Sequence, residues 1–311
     1  ILFRLVGSEM CIRDSLDTET LDRIQRMDVR ARLVVEGFLT GQHQSPYNGF
    51  AVEFATHREY APGDDVRHID WKVWSKTDRL YIKEYEEETN LKCHIFLDSS
   101  KSMKYGEVHG WSKFDHAATA AASLAYLLQQ QQDIVGLHLF SNQWDASIRP
   151  AGGPNHLKRL LHTLEEAVPN QQTEVTDLFL ELAGQMRQRG LVALFSDLFL
   201  PEKDLRETLQ RFRYRGHEVV VFQIMHEDEL AFPFEGNTMF KGMEEQVQLF
   251  ADPRSLRKSY LESINRFLDR TRRTCASLAV DHVMVSTAEP LDAVLSRYLS
   301  FRQRVRRQQR N

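Results

Sequence analysis

The sequence predicts an α/β fold: a doubly wound, mostly parallel, Rossmann-like sheet with an N-terminal helix and a small β-containing appendage. Three observations predict it. After Asn90, short apolar runs alternate with longer amphipathic runs, the rhythm of a parallel sheet covered on both faces. Between Leu16 and Leu39, apolar residues recur at helical spacing. From Gln42 to Asn90 the chain instead mixes aromatics, charges and turn residues with short extended runs such as RLYIKEY.

The elements follow in order. The first helix carries Leu21, Ile24, Met27, Val34, Val35 and Phe38 on its apolar positions, with Asp17 or Thr18 able to cap its start and Gly41 its end. LKCHIFLD reads as the first core strand, SKFDHAATAAASLAYLLQQQ as an Ala-rich helix and IVGLHLF as the next strand, with SIRP as an edge strand. NHLKRLLHTLEEAV and TDLFLELAGQMRQR read as helices, then strand LVALFSD, helix EKDLRETLQRFRYR and strand HEVVVFQIM. The long run DPRSLRKSYLESINRFLDRTRRTCASL is a helix, DHVMVST a strand and LDAVLSRYLSFRQR a last helix. Glu227–Phe250 interrupts the alternation and reads as a β-hairpin or loop excursion. The expected boundaries are 1–15, 16–90 and 91–311. The opening ILFRLVGSEMCIRDS lacks the features of a signal peptide and reads as translated sequencing-adapter sequence, so native sequence is expected to begin near Leu16.

Composition excludes several classes. A chain of 311 residues with net charge −4 and pI near 6.3 lacks the basic footprint of a nucleic-acid binder. No apolar run reaches the roughly 18 residues that cross a bilayer. Cys11, Cys93 and Cys275 are widely scattered, which suggests neither a disulfide framework nor a zinc site and favours a reducing cytoplasm.

In such sheets ligands bind at the carboxyl ends of the strands. There the first core strand runs into DSSKS, setting Asp98, Ser100 and Ser102 on one tight loop. Thr176 opens a helix in VTDLFLEL, with Thr173 as an alternative, and Asp197 ends LVALFSD. Two carboxylates and three hydroxyls are hard oxygen donors suited to Mg²⁺, with Mn²⁺ or Ca²⁺ as substitutes. A cation held largely by neutral hydroxyls keeps excess positive charge and can accept an acidic oxygen from outside. Singly, each residue has a plainer reading: Ser and Thr as helix caps, Asp as a turn former.

DSSKS, VTDL and LFSDL resemble the metal-ion-dependent adhesion site of von Willebrand factor A domains, a resemblance that implies a doubly wound sheet with Asp98, Ser100, Ser102, Thr176 and Asp197 as metal ligands. The run EFATHREYAPGDDVRHIDWKVWSKTDRLYIKEYEEE resembles the signature of bacterial domain-of-unknown-function family 58, in which an extended segment precedes such a domain. DELAFPFEGNTMF is a weaker echo of the same family, and the likeness spans about Leu33 to Tyr298. It implies a partner among MoxR-type AAA+ ATPases, and a non-enzymatic adaptor or co-chaperone role in which an acidic residue of the partner completes the metal.

Within the signature, Pro62-Gly63-Asp64-Asp65 is a turn. Trp71, Trp74 and Tyr81 can anchor the segment by burial, and Arg58, Arg67 and Asp70 can form a supporting polar network. The sharper alternative makes Arg58, Arg67, His68 and Lys72 a surface for acidic groups of a partner. Glu84, Glu86, Glu87 and Glu88 read as a solvated edge, and the Arg-rich tail SRYLSFRQRVRRQQRN as a fraying helix end that leaves peripheral contact with an anionic membrane open. Histidines 43, 57, 94, 116, 138 and 226 lack metal-ligand spacing and read as surface or satisfied core residues.

Two other functions stay open. A Mg²⁺-dependent phosphohydrolase would use Asp98 as nucleophile, but Ser100 stands where such enzymes place a second Asp as general acid. No Gly-x-Ser-x-Gly elbow or phosphate-binding loop appears. A structural interaction module with no functional metal is the third reading.

Overall fold

The computed structural model describes residues 26–42, 57–60, 71–77, 79–83, 91–106, 111–169, 186, 189–236, 238–242 and 248–299. Its elements in chain order are α1 (Met27–Gln42), β1 (His57–Glu59), α2 (Trp71–Thr77), β2 (Tyr81–Lys83), β3 (Lys92–Asp98), a 3₁₀ turn (Lys101–Lys104), α3 (Lys113–Gln130), β4 (Ile134–Phe140), β5 (Trp144–Ala151) and α4 (Pro154–Glu166). They continue with β6 (Leu191–Ser196), α5 (Glu202–Tyr214), β7 (Glu218–Met225), α6 (Glu227–Ala231), β8 (Thr238–Lys241), β9 (Gln248–Ala251), α7 (Pro253–Ser277), β10 (Asp281–Ser286) and a helix α8 over 291–299. Of the helix expected over 176–189, all but Met186 and Arg189 lies outside the described residues, as do Thr173 and Thr176.

Two compact units divide the chain: Gly41–Asn90, and the remainder. In the larger unit six strands form one sheet in the order β10-β7-β6-β3-β4-β5. All pair in parallel except β4 with β5. The chain leaves β3 toward one edge through β4 and β5, then returns to lay β6 on the other side of β3. That is the doubly wound order, and its reversal point lies between β3 and β6.

Side-chain alternation splits the core in two. Cys93, Ile95 and Leu97 of β3, with Leu191, Ala193 and Phe195 of β6, pack against α3, α4 and α8. Phe96, Val192 and Leu194 point the other way, into a cluster with Leu205, Leu209 and Phe212 of α5 and Cys275 of α7. The sheet is therefore covered on both faces, which is why its strands read as continuous apolar runs. Helix α3 is buried nearly all round; its alanines let it lie close to the sheet, and Ser112 and Asp115 close a reciprocal capping box at its start. Helix α1 inserts Met27, Ala31 and Val34 into the same core, and its first N–H, at Met27, donates to Glu165 Oε1 at 2.6 Å. Gly190, just before β6, has no room for a Cβ, which would overlap the Lys92 carbonyl.

The excursion after β7 resolves into α6 and the antiparallel hairpin β8–β9, as the broken rhythm predicted. In the smaller unit β1 and β2 pair antiparallel, Arg58 opposite Ile82, and Trp71 and Trp74 meet edge to face at 5.9 Å while both stay exposed. Arg58 and Lys72 belong to β1 and α2, with their side chains outside the description; Arg67, His68 and Asp70 lie outside the described residues altogether.

Adjacent strands bring two histidines together on the sheet. His94 Nδ1 and His138 Nε2 lie 3.1 Å apart with rings stacked, and His138 Nδ1 reaches Ser147 Oγ at 2.9 Å. Burial pushes His94 down to about 4 and His138 to about 3, the charge of the other ring adding to it in His138. Burial likewise lowers His116 to about 3 and His282 to about 4. The unfolded chain protonates such histidines near pH 6.5. The native chain resists until about 4, so between these values protons favour unfolding. Asp98, whose carboxyl is pushed up to about 7, acts in the opposite sense and offsets part of this. The thermal unfolding midpoint is expected to hold above pH 6.5 and fall toward pH 4, less steeply in His138→Phe; a flat profile would contradict the neutral, buried assignment.

Candidate metal centre

Parallel pairing sets the site. Leu97 of β3 faces Phe195 of β6, so the next residues of both strands, Asp98 and then Ser196 with Asp197, emerge at the carboxyl ends beside the reversal point. Asp98 is buried at 1% exposure and Asp197 equally so, with Ser100 fully buried and Ser102 nearly so. Four of the five predicted ligands therefore gather at these strand ends; the fifth, Thr176 or its alternative Thr173, lies outside the described residues.

Asp98 is held from two sides. The Ser100 backbone N–H donates to Oδ1 at 2.9 Å, and Ser196 Oγ donates to Oδ2 at 2.6 Å. The hydroxyls of Ser100 and Ser102 are 3.0 Å apart within the same buried turn. Despite these donors, the Asp98 carboxyl is pushed up to about 7, first by burial and then by the charge of Asp197. Two carboxylates withdrawn from water and acting on one another are stabilised by any cation that joins them, and carboxylate with hydroxyl oxygen suits a hard divalent ion. Among the described residues no group of three or more His, Cys, Asp or Glu gathers as a metal cluster, so a cation here depends on hydroxyl oxygens as well as on the two carboxylates.

Three neighbours were not foreseen. Ser196, besides steadying Asp98, accepts the Leu198 N–H at 2.9 Å. The chain turns there with Leu198 in the left-handed region at φ 61°, an unusual setting for a branched side chain, and Phe199 N–H closes on Asp197 Oδ1 at 3.2 Å. Lys113, at the first position of α3, buries its ammonium and donates to Asp197 Oδ2 and to Glu229 Oε1, each at 2.8 Å. Burial opposes that charge, but Asp197 and then Glu229 outweigh it and hold the Lys113 pKa above its ordinary value. Glu229 belongs to α6, where its other oxygen accepts the His226 N–H at 2.8 Å. The sequence does not show which carboxylates Lys113 meets; a cation in the first turn of a helix, opposed by the macrodipole, shows only that it needs some partner.

The second half of the site is tied to the same helix. After the 3₁₀ turn, Tyr105 donates to Asp228 Oδ2 at 3.2 Å and stands edge-on to the His226 ring. Gly106, at φ 97°, passes so close that a Cβ would meet the Trp111 carbonyl at 2.8 Å. The Asp98 loop and the Asp197 loop thus both lean on α6.

The family model described as "Protein of unknown function DUF58" matches residues 56–267. The uncharacterised protein Rv1480 of Mycobacterium tuberculosis is 22% identical over 93% of this chain and 91% of its own length. Among solved structures, the conserved hypothetical protein BatB of Bacteroides thetaiotaomicron aligns at 16% identity over 68% of this chain and 98% of its own, with a TM-score of 0.48. The SpRpn10 VWA domain aligns at 13% identity over 67% and 94%, with a TM-score of 0.38. Overlap with both structures is partial, and the doubly wound assignment stands on strand order and register.

Removing the ammonium would leave Asp197 and Glu229 as buried charges without compensation. Lys113→Ala is expected to cost about 3–5 kcal/mol of stability, read from urea denaturation; a loss near zero would mean that water reaches the bridge.

Proposed function

The chain belongs to the DUF58 family, proteins of unknown function, and on that footing we propose that it is a non-enzymatic protein-interaction module whose binding depends on a divalent cation. The reading is carried by one observation: two buried carboxylates at the reversal point of the sheet, one pushed up to about 7 by burial and by its neighbour, on the same strand ends as a hydrogen-bonded pair of hydroxyls. Asp98, Ser100, Ser102 and Asp197 would hold the ion, with Thr176 as the further hydroxyl. Bound there, Mg²⁺ would supply a Lewis-acidic position for an acidic oxygen of a partner.

The chain's own residues prepare that position. Ser196 and the Ser100 N–H fix the orientation of Asp98, and Lys113 with the Phe199 N–H fixes Asp197. Rigid carboxylates set the ion's place without reorganisation when a partner arrives. A MoxR-type AAA+ ATPase, or a client that it remodels, is the partner class we favour, on the strength of the family resemblance, and a cytoplasmic setting accords with Cys93 and Cys275 being buried and not joined in a disulfide. No described helix is long and apolar enough to cross a membrane. Arg58, Arg67, His68 and Lys72 are proposed, from their residue types alone, as a second contact for acidic groups of that partner.

Thermal unfolding with Mg²⁺ and with EDTA tests the cation. At a concentration a hundred times Kd, Mg²⁺ adds about 2.7 kcal/mol, a rise on the order of 5–10 °C for a domain of this size. The rise is expected in the wild type and absent from Asp98→Ala/Asp197→Ala. No rise at millimolar Mg²⁺ would sink metal binding by the free chain, and hydrolysis of a generic phosphate ester dependent on Asp98 would sink the non-enzymatic reading.

A further inference from the structure

The Lys113 ammonium is the feature that a simple cation site would not contain. It sits 2.8 Å from Asp197 Oδ2, with the lysine side chain 1% exposed and that of Asp197 2% exposed. A divalent ion taken up by Asp197 must therefore share that carboxylate with a positive charge already tethered to it. In a poorly solvated site like charges at such range repel strongly. The lysine is also placed against local preference, at the positive end of α3, so the packing around it has been built to keep it there. The Phe199 ring covers it at 4.9 Å.

Glu229 works in the other direction. Its Oε1, also 2.8 Å from the ammonium, accepts from a second N–H of the same group and offsets part of the lysine's charge as felt at Asp197. Resting on the metal-binding reading above, we infer that Lys113 is a built-in competitor of the divalent cation and that Glu229, carried on α6, moderates it. Lys113 is in this sense a residue that sets affinity rather than a ligand. Its side chain holds Asp197 in place when no ion is present and raises the concentration at which an ion binds. Because Glu229 arrives on a short helix that is capped through His226 and joined to Tyr105, the position of α6 governs how much of the lysine's charge the site experiences.

The test is titration of the full chain with Mn²⁺ alone, followed by calorimetry or by the loss of its free-ion magnetic resonance signal. Lys113→Met is expected to tighten Mn²⁺ binding by roughly tenfold or more while lowering the unfolding midpoint in EDTA. Glu229→Gln keeps an oxygen for the His226 N–H and removes the offsetting charge, so it is expected to weaken Mn²⁺ binding several-fold. Opposite shifts in the two variants support the inference. A folded Lys113→Met with unchanged or weaker binding overturns it, as does a Glu229→Gln that binds as well as the wild type or better. If Lys113→Met does not fold, Glu229→Gln alone decides. Wild type and variants that all ignore Mn²⁺ would bring down the metal reading and this inference together, whereas wild-type binding with the wrong shifts overturns the inference alone.

Discussion

Parallel pairing of β3 with β6 is the constraint from which the rest of the site follows. Parallel strands end on the same side of a sheet, so β3, which ends in Asp98, and β6, which Asp197 directly follows, must bring both carboxylates to one edge. Because the chain reverses its winding between these strands, the helices that follow them leave toward opposite faces of the sheet. Burial then raises the electrostatic stakes. A single aspartate in that position would take a proton; a pair needs a cation or donors in number, and this chain supplies Ser196, backbone N–H groups and an ammonium.

Much of this was legible in the sequence, for identifiable reasons. Strands buried on both faces are written as unbroken apolar runs, so LKCHIFLD and IVGLHLF matched β3 and β4 almost to the residue. Asp98 and Asp197 could be picked out because a charge at the end of such a run marks the strand's exit from the core. The helix boundaries were less sharp: the described part of the first helix begins at Met27, where a carboxylate from α4 takes the end N–H, and no local pattern announces a cap supplied from 138 residues away. The same applies to the ion-pair bridge. Lys113 meets Asp197 and Glu229 across 84 and 116 residues, distances over which periodicity carries no information. Ser196 was hidden differently, as a small residue inside an apolar strand that reads as filling. The histidines lacked ligand spacing in sequence, yet parallel pairing sets His94 opposite Gly136 and Phe96 opposite His138, so the two imidazoles meet diagonally across neighbouring strands.

The site is also more connected than a list of ligands suggests. Asp98 and its hydroxyls sit on one loop, Asp197 on another, and the two are joined by the sheet below and by α6 above. Gln223 extends the connection sideways, bringing its side-chain amide to the Asp197 carbonyl at 3.5 Å while its oxygen meets His282 of β10 at 2.9 Å. Polar contacts of this kind in a poorly solvated region polarise one another, so a change in charge at the strand ends is felt through several elements at once.

One strand bears on how the protein behaves in a crowded solution. β5 is an edge of the six-stranded sheet, and an open edge is a template for the next chain. This one runs antiparallel to its neighbour and slips register twice along it, and it carries Asp145, Arg149 and Pro150. Kinks spoil the straight row of N–H and C=O groups, charges resist a dry interface, and the proline withholds a donor altogether. The strand is thus built to refuse strand-by-strand addition along this edge of the sheet.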